Sequence, residues 1–481
     1  MKALILGIDA LGKQSLEALQ LSRLKRLIEQ GKHGIPAIDN VVSRGWAELY
    51  SGQTAYETGA FYQVPVFQDG RILASQRTGA ARVVDHIGKD ALLWNRLQEA
   101  GWSVGVYTLP SVTDVQEKAT FSVSATGGGN FKNKVTSKEV HPEDFVHLTN
   151  YLATNLGFRI GHGAFLPDDI DHLECWMRDH LAQHAFTLEL ALEKWPVDCL
   201  VFGTRFVTIA YKFIRLLLSR PEGEHEKALR EMLLRVAADF DEYLARFIRQ
   251  TDPEHLFIVS DHGNCPLEYH VNINELLVQL GEVSANPGVV ARARNMVGRA
   301  VRSRFQPARW KRFPTRYPSY NLEKSQSFSI GYTDVIYIND QRFTGPRMSD
   351  GERFDRASAV AERLKAYVAA HGLEQFVDFK PMRNRGYTEP LVNPNSRVPL
   401  PDIRCVLAKG CVNLERTNRQ IVRKNEPTFG EELFERGFFA EYSGCKSTDT
   451  LAAYLGPKTT AVDLSSLTTI YRSIIDVMGC R

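Results

Sequence analysis

The apolar positions of this chain follow two alternating patterns: short unbroken apolar runs, and longer segments in which apolar residues return every three or four positions. The first run, Ala3 to Ile8, stops at Asp9. Behind it Leu16, Leu19, Leu24, Leu27 and Ile28 keep helical spacing until Gly31, which predicts one helix. Leu92 to Ala100 predicts a second helix closed by Gly101, and Ser103 to Pro110 a strand. A long amphipathic helix is predicted from Leu173 to Lys194. It is followed by a strand from Asp198 to Gly203, a helix or helical turn from Phe206 to Leu218, and a helix from Leu229 to Ile248. Leu256 to Val259 is apolar without alternation, as in a strand covered on both faces. A short helix ending at Gly281, a strand from Val335 to Ile338, a helix from Asp350 to Ala370 and a terminal helix through Met478 complete the pattern. This succession predicts an α/β fold whose central, mostly parallel sheet is flanked by helices.

Two of the strands end in reactive side chains. Asp9 follows the first, and Asp261 and His262 follow the strand that begins at His255. Ligands of open α/β sheets gather at the carboxyl ends of strands, so these residues are candidates for a metal or acid/base site. The bland alternatives are a helix cap for Asp9 and a polar turn for the pair. Ser43 precedes a predicted helix, where it can serve either as a nucleophile or as a cap. His180 and His184 have a spacing that can hold zinc, but no third ligand accompanies them, and they read as helix-surface residues.

Composition narrows the classes. The chain has 481 residues, 43% of them hydrophobic, and a net charge of +3, so charge gives no argument for nucleic acid or an acidic membrane as partner. Seven scattered cysteines without close spacing argue against a disulfide scaffold or a cysteine zinc site. No apolar run is long enough for a secretory core or a membrane span, and a cytoplasmic protein is expected. Without repeats or low-complexity linkers, 1–481 reads as a single domain, with a cap or loop insertion at 118–194 and a basic insertion at 283–323. The basic residues of that second insertion, from Arg292 to Arg316, alternate with aromatics. Such a segment suits phosphate groups, although a solvated insertion or a contact within a homo-oligomer is the preferred reading.

Taken together, Gly7-Ile8-Asp9, the Trp46 to Gly59 stretch, the Trp94 to Pro110 unit, Ser260-Asp261-His262-Gly263, Ile336 to Asn339 and the Gly444 to Pro457 segment resemble the alkaline phosphatase superfamily. Within it they resemble the type I phosphodiesterase and nucleotide pyrophosphatase branch. The resemblance implies two divalent metals, zinc foremost with manganese or magnesium as alternatives, and a Thr or Ser nucleophile between them. It makes Asp9, Asp261 and His262 ligands of one metal. The family's nucleophile position falls on Val42, and Ser43 takes the role if the loop is one residue shorter. Counting from Asp198, the positions of the second metal's ligands fall on Thr208 and Lys212, and a late His position falls on Lys446. The second metal is therefore expected to be lost, with Lys212 and Lys446 supplying its positive charge and Arg44 and Thr208 touching substrate. The expected activity is hydrolysis or transfer of a phosphoric or related sulfuric ester, with a small anionic ester as partner. The alternative is an inactive pseudoenzyme that binds an anionic ligand or a protein.

Overall fold

The computed structural model describes residues 1–38, 45–61, 63–68, 71–75, 88–112, 114–124, 140–146, 169–285, 320–330, 333–382, 398–413, 420–427, 429–430 and 442–480. They form two compact units. The larger comprises Met1–Tyr62, Arg77–Glu268 and Asn425–Arg481, and the smaller Gln63–Gln76 and Tyr269–Lys424.

The larger unit is built on an eight-stranded sheet. In chain order its strands are β1 (Ala3–Ile8), β2 (Lys32–Gly34), β3 (Val104–Tyr107), β4 (Phe121–Val123), β5 (Val140–His141), β6 (Cys199–Thr204), β7 (His255–Val259) and, after the separate pair β8 (Gly263–Pro266) and β9 (Gly444–Ser447), β10 (Ala452–Leu455). Across the sheet they run β2-β10-β7-β1-β6-β3-β4-β5. The five central strands from β7 to β4 are parallel to one another, whereas β10 lies antiparallel to β7 and β5 to β4. The mostly parallel α/β sheet expected from the apolar runs is the one observed.

Alternation within β1 explains the layering. Leu4, Leu6 and Ile8 enter one core together with Leu24, Met177, Phe213 and Leu233; Ala3 and Ile5 enter the other with Trp46, Leu93, Trp94 and Ile474. Both faces are thus covered by helices, and each large apolar side chain so buried contributes about 1.5–3 kcal/mol. Gly7 lets the Trp46 ring approach β1, since a Cβ there would lie 2.8 Å from the indole.

Three expectations change. The single helix expected from Leu16 to Gly31 is two, α1 (Lys13–Ala18) and α2 (Ser22–Gln30), separated by Gln20 at a φ of 54°. The buried carboxylate of Asp241 accepts hydrogen bonds from the Arg23 and Leu24 amides at 2.8 Å each, supplying α2 with a cap from a remote helix. Within 118–194, β4 and β5 extend the main sheet and Ile170–Lys194 is a helix packed on it. That helix corrects the reading of His180 and His184 as surface residues, because both are buried. They share a face with Met177, Leu188 and Ala191, and this face meets the sheet.

The smaller unit holds a four-stranded sheet, in the order Ser327–Phe328, Val335–Ile338, Ile403–Leu407 and Val377–Pro381, antiparallel throughout. Buried Arg342 pairs there with Asp340 and Asp402 at 2.8 and 2.7 Å. The ends of the basic insertion are joined, with Ser284 opposite Asn321 and Ala285 opposite Tyr320. Its residues 292–316 lie outside the described residues.

Candidate functional site

Strand register assembles the site. In β1, Gly7 lies beside Val259 of β7, and Ile8 lies beside Thr204 of β6. Continuing each strand past its end brings Arg205, Asp9 and Asp261 into one row along the carboxyl edge of the sheet, with His262 next to Asp261. The Asp9 amide donates to the Thr204 carbonyl at 2.9 Å, which holds that alignment. Ser260 fixes the turn: its hydroxyl donates to the His262 carbonyl at 2.8 Å and accepts from the Leu11 amide at 2.9 Å.

One acceptor atom from each of Asp9, Asp261 and His262 lies within 4.8 Å of the others. His262 Nε2 is 3.5 Å from an oxygen of Asp9 and 3.5 Å from an oxygen of Asp261. Its Nδ1 is 2.9 Å from the Gly263 carbonyl, a contact that assigns the ring proton to Nδ1. Nε2 then turns its lone pair toward two carboxylates, an arrangement that a cation between them satisfies. Two atoms about 2.1 Å from a common zinc ion are up to about 4.2 Å apart, so small side-chain movements bring this set onto one ion. Two carboxylates and an imidazole, with the Gly263 carbonyl orienting the imidazole, fit a divalent metal.

Two residues that the sequence reading passed over complete the surroundings. Arg205 Nε lies 3.5 Å from Asp9, and its side chain is largely buried. The Tyr211 hydroxyl lies against the same imidazole, 3.1 Å from His262 Nε2 and 3.2 Å from its Nδ1. Counting from Asp198 pointed instead to Thr208 and Lys212. Thr208 donates its hydroxyl to the Arg205 carbonyl at 2.6 Å, and the ammonium of buried Lys212 lies 5.1 Å from the centre of the Tyr442 ring. Lys446 stands opposite Asn264 in the β8–β9 ladder, beside the segment that leaves His262. Val42, Ser43 and Arg44 lie outside the described residues. A register-based count, had the pairing of β1 with β6 been known, would have singled out Arg205.

No protein-family model matches the chain, and no curated protein matches it by sequence. Among solved structures, phosphonoacetate hydrolase from Sinorhizobium meliloti 1021, in complex with phosphonoformate, is 12% identical with a TM-score of 0.51, over 99% of this chain and 96% of that one. Wild-type alkaline phosphatase PafA is 11% identical with a TM-score of 0.48, over 99% and 95%. Murine ectonucleotide pyrophosphatase / phosphodiesterase 5 is 12% identical with a TM-score of 0.47, over 100% and 95%. The chain shares its fold with phosphonoacetate hydrolase. Within that fold the carboxyl edge of the sheet carries Asp9, Asp261 and His262, the residues for which the superfamily resemblance implied a shared metal. Among the described residues no helix is long and apolar enough to cross a membrane.

Proposed function

We propose that the chain hydrolyses a phosphoric or related sulfuric ester, or transfers its phosphoryl or sulfuryl group to an alcohol, with one divalent cation, zinc before manganese or magnesium. The observation that carries this reading is the row of Arg205, Asp9 and Asp261 with His262, three acceptors and one fixed guanidinium at the strand ends where this fold class binds ligands. Asp9, Asp261 and His262 would hold the cation, which when bound supplies Lewis-acid charge stabilisation and a lowered pKa for a coordinated hydroxyl. Ser43 is the proposed nucleophile: its Oγ bonds to phosphorus while the ester oxygen leaves with the bonding pair, and water or an alcohol then displaces the serine. Arg205, Lys212 and Lys446 provide positive charge in place of a second metal, and Arg44 and Thr208 are proposed substrate contacts. The substrate is a small anionic ester, and the protein is proposed to act in the cytoplasm.

Two measurements test this reading. Metal analysis of purified protein is expected to give one divalent ion per chain; two tightly bound ions would overturn the replacement of the second metal by basic side chains. A panel of phosphate mono- and diesters, sulfate esters and phosphonoacetate is expected to reveal turnover that Ser43→Ala abolishes. Full activity in that variant would remove Ser43 from the mechanism.

A further inference from the structure

Three residues past His262 the chain carries Cys265, and the strand paired with it carries Cys445. The two are directly opposite in the antiparallel β8–β9 ladder, with their sulfurs 3.5 Å apart. Neither is in a disulfide, and both are buried. Directly opposed residues of antiparallel strands have Cα atoms about 4.5–5.5 Å apart, inside the roughly 4.4–6.8 Å that a disulfide spans. Bond formation therefore asks for side-chain rotation that draws the sulfurs about 1.5 Å closer, with no displacement of the strands. The ladder has only two strands, so one opening of β9 gives a small oxidant access to both thiols.

We propose that Cys265 and Cys445 form a dithiol modification site, which a hydroperoxide converts to a cross-strand disulfide beside the metal-ligand cluster. One thiolate sulfur attacks the peroxide oxygen, breaking the O–O bond and giving a sulfenic acid and, after protonation, water when the oxidant is hydrogen peroxide. The second sulfur attacks the sulfenic sulfur and displaces hydroxide, which leaves as a second water. Two thiols are thereby oxidised by two electrons, and one peroxide is reduced. The new bond ties β8, which leaves His262, to β9, which carries Lys446 and Ser447.

The test uses the full chain treated with hydrogen peroxide, followed by thiol counting and peptide mapping without reductant. The expected result is two fewer free thiols than the seven of the sequence, a Cys265–Cys445 linked peptide pair, and recovery of both thiols with dithiothreitol. Amide exchange across Gly263–Pro266 and Gly444–Ser447 slows in the oxidised protein, whereas unchanged exchange would mean that the bond does not close within the folded ladder. The proposal is overturned if these two cysteines stay reduced while others oxidise, or if they gain oxygen without cross-linking. Cys445→Ser is expected to abolish the linked peptide, and because the main readout uses the unmodified chain, it does not depend on how that variant folds.

Discussion

Arg205 brings a fixed positive charge to the carboxyl edge of the sheet. Its guanidinium cannot deprotonate, and it stands 3.5 Å from the Asp9 carboxylate, one of the three proposed metal ligands. It therefore competes with a cation for Asp9 while offering fixed positive charge to an anionic substrate. Arg205→Ala is expected to lower kcat by about 10²-fold or more, as loss of a preorganised charge partner does, and to tighten divalent-ion binding. Arg205→Lys is expected to recover part of the rate. Titration calorimetry with zinc or manganese reads the second effect independently of turnover, and an unchanged rate together with unchanged ion affinity would dismiss the assignment. Asp9, Asp261 and His262 stood out in the sequence because Asp9 directly follows one apolar run and the Asp261–His262 pair comes just past another. Arg205 and Tyr211 were not, because the distance that matters for them is measured across strands rather than along the chain.

Among the elements, the helix Ile170–Lys194 carries the largest unforeseen feature. His180 and His184 were readable as a helical pair, but their exposure depended on which face met the sheet. Their alignment with Met177 and Leu188 was the available clue. The His184 ring lies 3.1 Å from the Thr108 hydroxyl, and burial lowers its pKa to about 3 and that of His180 to about 4. In an unfolded chain both would titrate near 6.5. The unfolded state thus takes up protons that the folded state refuses, so stability is intact above about pH 6.5 and falls as the pH drops toward 4. The loss is on the order of 3 kcal/mol for each residue by pH 4. Denaturant melts of the parent chain and of His180→Gln across this range should show a shallower decline in the variant; identical slopes would refute the argument. The break between α1 and α2 was equally hidden, since the carboxylate that caps α2 comes from Asp241, far along the chain.

At the scale of the whole molecule, the proposed metal binding would be linked to folding, because Asp9 and the Asp261–His262 pair follow two strands that meet only in the folded sheet. A cation at a hundredfold excess over its Kd adds about 2.7 kcal/mol to stability. The melting midpoint is therefore expected to rise with zinc or manganese and fall with a chelator, and Asp261→Asn should abolish the response. A variant that keeps the full rise would place the ion elsewhere. The sheet class was legible from the unbroken apolar runs, but strand order was not, because pairing between distant segments leaves no local periodicity. That order has a consequence for synthesis. Strand β7 is flanked by β1, made first, and by β10, made roughly 190 residues after it, which at about 5–20 residues per second is on the order of ten seconds or more of translation. During that interval the emerging polypeptide exposes one unpaired border of an apolar ribbon, a sticky template for neighbouring nascent chains. A ribosome-associated chaperone that shields this border until Ala452–Leu455 emerges would raise the yield of active protein without touching the finished fold.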